Sequence, residues 1–428
     1  MMKNIFKKSL FILPVLLLAS CNFKYSYNIA GLPNDGGDMF DDDVEDSGTY
    51  DIKVWVTDKI VSLTKSQIGQ FVASSGGKYT LNVTVEPVGE DKAAAQMLLD
   101  VQNGADLFCF AQDQLSRLKV AGSLAKLSDK YVDALTEEMG QEAVNAAKVN
   151  SDVYAFPITS DNGYFLYYDK SVVSEEARTN VTSILAACKG AGKTFNFAAK
   201  ANGFYAPAYF MATGCHSNWT LNSETGKFES YDDNYNSDKG LIAAKALREL
   251  DDSKTVTNDT QASKLGTSAG AVISGIWEYE VAEKNLGENL GCAELPNFTV
   301  DGTSYHLSSF DGYKLLGVKP QVDAKKASVC RKLAKFLTSE DCQSERFERV
   351  KWGPTNIASS EKPDVANHIG LKALKDQHQF AYPQGQCPSG WYNSLAATAT
   401  TIKAGLDESA LQDLLANYEA SLAELLDD

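Results

Sequence analysis

Residues 151–170 read SDVYAFPITSDNGYFLYYDK, and Pro157 in that stretch constrains the fold more than any other single feature. An apolar run, Val153-Tyr154-Ala155-Phe156, leads into it; a second run, 164–168, follows the polar passage Ser160-Asp161-Asn162-Gly163. Proline has no N–H to give to a sheet ladder, so the first run must lie on a sheet edge or leave its sheet there. Ser-Asp-Asn-Gly suits neither strand nor helix. Aromatic strands on both sides of a short acidic passage suggest two packed bodies with a narrow connection, and the carboxylate of Asp161 in the crevice between them. The same letters also fit an ordinary strand–loop–strand segment.

With 428 residues the chain is too long for one small core, so two domains are the natural expectation. A hydrophobic content of 44% argues for a folded protein, and a net charge of -16 argues against nucleic acid as a partner. The N-terminus differs from the rest. Lys3, Lys7 and Lys8 precede an apolar run over 10–19 that ends in Leu18-Ala19-Ser20-Cys21. This is a signal-peptide pattern, too short for the ~20 residues of a membrane-spanning helix. Small residues directly before Cys21 resemble the bacterial lipobox, in which the cysteine thiol takes up a diacylglycerol and becomes the acylated, palmitate-bearing N-terminus. Cleavage at that point removes three lysines and no acid, leaving a net charge of -19. Residues 21–49, rich in Gly and Asp, read as a solvated tether; their acidic run lacks the Gly-centred, Glu-terminated spacing of a calcium loop.

From Tyr50 the pattern becomes regular. A strand over 51–56, a helix with Ile60, Leu63, Ile68 and Phe71 at helical spacing, a strand over 81–85, a helix over 91–101 and a buried strand over 107–110 follow in turn. This β-α-β-α-β order predicts an open parallel sheet, in which ligands collect beyond the carboxyl ends of the strands. Those ends carry Asp58, Lys59, Glu86, Asp113 and Gln114. The second body is expected to hold helices over 181–189, 204–213, 237–251 and 258–266, strands over 194–197 and 271–273, and a polar loop over 218–237. Residues 305–311 read as a second polar, aromatic crossing. A strand over 314–318, a helix over 324–337, a helix capped by Ser339 and a final amphipathic helix complete the chain.

The candidates for catalysis are few. Ala187-Cys188-Lys189-Gly190-Ala191-Gly192-Lys193-Thr194 misses a P-loop by its first residue and follows a helix rather than a strand, so a helix C-terminal glycine motif is the better reading. No GxSxG elbow is present, and the four histidines show no metal spacing. No cofactor, no metal and no disulfide among the remaining seven cysteines is assigned. Carboxylates at the strand ends fit a glycosidase pair, and they equally fit carboxylates that only hydrogen-bond a ligand. Aromatics beside short polar residues stand out instead: Phe110, Tyr164, Phe204, Tyr205, Trp277, Trp391 and Tyr392. Sugars stack their C–H faces on such rings and pair their hydroxyls with Asp, Glu, Asn and Lys.

Taken in order, Val54-Trp55-Val56 with Asp58-Lys59, Gly104-Ala105-Asp106-Leu107-Phe108, Gly122-Ser123-Leu124-Ala125, Tyr154-Ala155-Phe156-Pro157-Ile158, Tyr167-Tyr168-Asp169-Lys170, Ile273-Ser274-Gly275-Ile276-Trp277 and Leu295-Pro296 resemble an extracellular solute-binding protein of the maltose-binding type. The resemblance implies an α/β, two-lobed periplasmic-binding-protein-like (type II) fold with a hinge and an interlobe ligand cleft. One lobe is expected over 50–159 plus 308–355 and the other over 160–307 plus 356–428, after a signal peptide over 1–20. It implies a monomeric, non-catalytic receptor, lipid-anchored through Cys21 on the extracellular face of the bacterial membrane. That receptor would pass a carbohydrate to the permease of an ABC transporter. Asp58, Lys59, Glu86 and Asp113 match polar sugar contacts, Phe110 stands where maltose binders have Trp, and Gln114 where they have Arg. Asp161 matches a crevice carboxylate, Trp277 and Trp391 or Tyr392 match stacking rings, and Asn202 and Tyr205 fall at a loosely matched ligand loop. A receptor for a non-sugar solute, a secreted glycan-active enzyme and an adhesin are the alternatives.

Overall fold

The computed structural model describes residues 44–427, apart from 223, 224 and 226. The residues read as a signal peptide, Cys21 and most of the expected tether therefore lie outside the described residues. The alternation read from Tyr50 onward forms strand Gly48–Val56, which buries Tyr50, Ile52 and Val54 on one face. It lies beside Tyr79–Pro87 and Leu107–Ala111, all parallel, with helices Val61–Ser74 and Glu90–Leu99 as the crossovers. The five-strand sheet is nevertheless mixed. Lys314–Val318 enters antiparallel beside Leu107–Ala111, and Ala155–Thr159 pairs antiparallel with it at the sheet's edge. Pro157 sits in that edge strand opposite Leu315, next to a register irregularity. The missing N–H thus falls where the ladder needs none.

The chain then crosses directly to a second sheet, ordered Val256–Thr257, Thr194–Asn196, Ala269–Ser274, Phe165–Asp169, Leu290–Ala293. Strand Phe165–Asp169 is buried throughout, and its period of two divides the core. Phe165 and Tyr167 join the apolar cluster that continues into the first sheet. Tyr164, Leu166 and Tyr168 join a second cluster, roofed by the C-terminal helices Ser389–Thr401 and Glu408–Leu422. At ~1.5–3 kcal/mol for each large apolar side chain fully buried, this strand alone anchors both clusters. The return passes through Ser309–Asp311, which pairs in parallel with Ala381–Pro383, before reaching Lys314–Val318.

Two segments differ from the sequence reading. The stretch read as a polar loop contains an antiparallel hairpin, Ser217–Leu221 with Phe228–Asp233. The helix expected over 258–266 is a single 3-10 turn, Ala262–Lys264. There the Asp259 carboxylate takes the Gln261 N–H at 2.9 Å and Glu278 takes the Ala262 N–H at 2.8 Å, so side chains claim the donors a helix would use. The near P-loop is the end of helix Val181–Gly190: Gly192 has φ 65°, and Lys193 turns back to Asp169 at 3.1 Å. The seven cysteines in the described region are unbridged, and burial pushes the Cys109 thiol up to about 12.

Candidate functional site

Two short turns and one strand end carry the polar groups at the carboxyl ends of the parallel strands of the first sheet. After Gly48–Val56, a 3-10 turn places Asp58 and Lys59 at the surface. Lys59 reaches across, with Nζ 2.5 Å from the Glu280 carboxylate and 3.2 Å from the Trp277 carbonyl. At the end of the next strand, Glu86 accepts the Trp55 indole N–H at 2.7 Å. After Leu107–Ala111, the turn Gln112–Gln114 buries Asp113. Its Oδ2 accepts from Gln114 Nε2 at 2.8 Å and from Tyr392 Oη at 3.3 Å, and Gln114 Oε1 holds Arg117 at 3.3 Å.

The facing side is a run of rings in which Trp277, Phe204 and Tyr392 are half-buried and Phe310, a core ring, links Phe204 to Tyr392. Trp277 and Phe204 have centroids 6.4 Å apart, Phe204 and Phe310 5.4 Å, and Phe310 and Tyr392 6.3 Å. Two glycines allow the close approaches. A Cβ on Gly275 would meet the Trp277 ring at 2.2 Å, and one on Gly203 would meet the Tyr392 carbonyl oxygen at 2.1 Å. Asn202 is exposed and shapes the same loop, its Oδ1 taking the Phe204 N–H at 2.9 Å. Beyond Tyr392 a cavity of about 170 Å³ opens, lined by Trp219, Tyr382, Gln386 and Trp391 among others. Tyr392 therefore belongs both to the ring surface and to the contact with Asp113 across from it.

Four of the expected ligand groups are packed differently from the reading given by the sequence. Phe110 has no exposed surface and lies against Phe108 at 5.5 Å, because an inward position on a central strand is core. Trp391 is 4% exposed and donates its indole N–H to Tyr418 at 2.8 Å, which makes it an anchor for the C-terminal helices. Asp161 does not look into an open crevice. It is fully buried, 2.8 Å from Lys314 Nζ, and accepts from the Gly353 N–H at 2.7 Å and the Thr159 hydroxyl at 2.7 Å. Tyr205 is 4% exposed and packs on Tyr164 at 4.8 Å, behind the ring surface rather than on it.

Residues that the sequence reading passed over complete the floor. Lys314 lies 4.3 Å from the Trp352 ring centroid and 5.5 Å from that of Trp277, so the buried ammonium is shared between a carboxylate and two indoles. A lysine opening an otherwise buried strand, Lys314-Leu315-Leu316-Gly317-Val318, was the available signal. Glu90 begins the helix after the second strand; burial raises its carboxyl above the ordinary range, offset in part by Lys314. Among the described residues, Glu90 Oε1 and Asp113 Oδ1 are buried oxygens without a hydrogen-bond partner. Such oxygens are acceptors whose hydrogen-bonding capacity the described residues leave unused.

Burial also pushes Asp113 up to about 6, against the lowering effect of its bonds to Gln114 and Tyr392. Unfolded, the same carboxyl releases its proton near the ordinary value of about 3.9. Between those pH values the folded chain binds more protons, so this group makes stability fall as pH rises through the window, by roughly 3 kcal/mol in all. Asp113→Asn is expected to flatten that fall relative to the parent in urea melts at pH 4 and pH 7. Parallel curves for the two proteins would refute the assignment.

The chain matches the bacterial extracellular solute-binding protein family over residues 68–373, and it belongs to that family. Among solved structures, one determined with acarbose has 24% identity and a TM-score of 0.74, covering 89% of this chain and 99% of its own. The unliganded maltodextrin-binding protein MalE1 of L. casei BL23 has 19% identity and a TM-score of 0.73, over 89% of this chain and 100% of that one. The GacH receptor of Streptomyces glaucescens GLA.O, solved unliganded and with acarbose, has 16% identity and a TM-score of 0.70, over 88% and 98%. Each shares the two-lobed α/β fold; the second is named as a binding protein and the third as a receptor.

Proposed function

We propose that this chain is the receptor of an ABC importer, and that it binds a carbohydrate, an oligosaccharide of the maltooligosaccharide kind, between its two lobes. The observation that carries the reading is the series of half-buried rings Trp277, Phe204 and Tyr392, joined through Phe310, with Asp113 against Tyr392 and Glu90 under the influence of Lys314, the ammonium over Trp277; among the described residues, Asp113 and Glu90 each keep a buried oxygen without a partner. Apolar sugar faces need the first and hydroxyl donors the second. The likeness to proteins solved with acarbose, or named for maltodextrin, supports the same ligand class.

In this reading the lobes comprise 50–159 with 308–355, and 160–307 with 356–428. Lys59 latches the rim, while Asp58, Glu86, Gln114 and Asn202 border the ligand. Hinge closure buries the sugar and presents both lobes to the permease. The protein acts as a monomer without catalysis, tethered by an acylated Cys21 to the outer face of the membrane.

Calorimetric titration with maltose through maltotetraose is expected to show stoichiometric binding with the sugars recovered uncut. The mature protein's intact mass is expected to include a lipidated Cys21. Binding of peptides or polyamines but no sugar would remove the carbohydrate claim, and cleaved products would remove the receptor claim. An unmodified N-terminus would remove the anchor.

A further inference from the structure

At the crossing Ser309–Asp311, Glu142, Asp311 and His378 offer two carboxylate oxygens and an imidazole nitrogen that all lie within 4.8 Å of one another. His378 Nδ1 is 2.6 Å from Asp311 Oδ2. The donors come from three separate elements: helix Asp129–Ala146 beyond its break at Gly140, strand Ser309–Asp311 and the 3-10 turn His378–Phe380. A histidine–aspartate pair alone would be an ordinary surface contact. A second carboxylate brought to the same point from another element adds repulsion that a divalent cation would relieve.

We propose that Glu142, Asp311 and His378 form a cation site of the zinc class at the hinge. One imidazole and two carboxylates suit a borderline divalent ion with water in the fourth position. Calcium and magnesium instead prefer six or more oxygens. The helix carrying Glu142 packs on the edge strand Ala155–Thr159 of the first sheet. Phe310, adjacent to Asp311, packs in the core of the second. Gly312, the next residue, accepts the Asn162 N–H of the other crossing at 3.1 Å. An ion here ties the first-sheet helix to the crossing itself, so its occupancy restrains the motion between the sheets. Sequence spacing gave no hint of the site, because its donors meet only through the crossings.

The test is calorimetric titration of the full chain with Zn²⁺, beside His378→Gln and Glu142→Gln. Both positions are exposed, so folding is expected to survive. The parent is expected to bind one equivalent and to melt at a higher temperature with Zn²⁺. Each variant is expected to lose at least the ~10-fold in affinity that even an outer-shell partner contributes, together with the thermal shift. Absence of Zn²⁺ binding by the parent, or undiminished binding in either variant, overturns the site.

Discussion

Trp277→Ala is expected to weaken oligosaccharide binding about thirtyfold while leaving the thermal midpoint close to that of the parent. The ring is half-buried, lies over Gly275, and begins the aromatic surface. Loss of a stacked indole removes apolar contact with the ligand as well as the ring's specific face, together about 2 kcal/mol, which is roughly thirtyfold in Kd. Its ring partner is Phe204, with Lys314 at 5.5 Å over the ring as a weaker contact. Calorimetry and a melt on the same sample decide the matter. Unchanged affinity would remove Trp277 from the ligand, and a collapsed melt would make it a core residue.

Asp161→Ala has a different expected outcome, a loss of folding stability of roughly 3–5 kcal/mol, because it strands the Lys314 ammonium in a buried position. Side-chain exposures of 5% for Lys314 and 1% for Asp161 leave little water to compensate. Asp161 also holds the Gly353 N–H, so one carboxylate fastens the first crossing to the strand Lys314–Val318 and to the chain beyond helix Glu340–Val350. Removing both charges, with Asp161→Leu and Lys314→Met together, is expected to recover much of the loss, since a buried pair returns little beyond its own desolvation. Urea melts of the single and double variants make the comparison. Equal stability of Asp161→Ala and the parent would refute the buried-pair account, and selective loss of sugar affinity would return Asp161 to the cleft.

Local pattern carried much of the fold. The alternation of Ile52, Val54 and Val56, the helical spacing of Val329, Leu333 and Leu337, and the Ser339 cap, whose Oγ takes the Cys342 N–H at 3.4 Å, follow from rules spanning a few residues. Pro157 was legible for the same reason. What stayed hidden depends on partners distant in the chain. Nothing near Asp161 indicates that Lys314, 153 residues away, will neutralise it. Nor does a run of apolar letters say whether Lys314–Val318 lies at an edge or in the interior of a sheet. Rings were ambiguous in both directions: Phe110 and Trp277 each follow a strand pattern, and only the packing made one core and the other surface. Glycine two residues before Trp277 was the better clue, since it signals a backbone that a ring must approach.

The position of Lys314–Val318 also bears on the order in which the chain can fold. Among the described residues it is the only link between Leu107–Ala111 and the edge strand Ala155–Thr159 in the first sheet. No chain ending before Val318 contains that sheet whole, although four of its five strands are in place by Thr159. The second sheet, by contrast, is complete by Ala293. Closing the first sheet requires a long loop to be drawn together before its reward is collected, a step that contact order makes slow. The N-terminal half therefore waits with an open strand edge, and the last-arriving strand converts two nascent bodies into one hinged molecule.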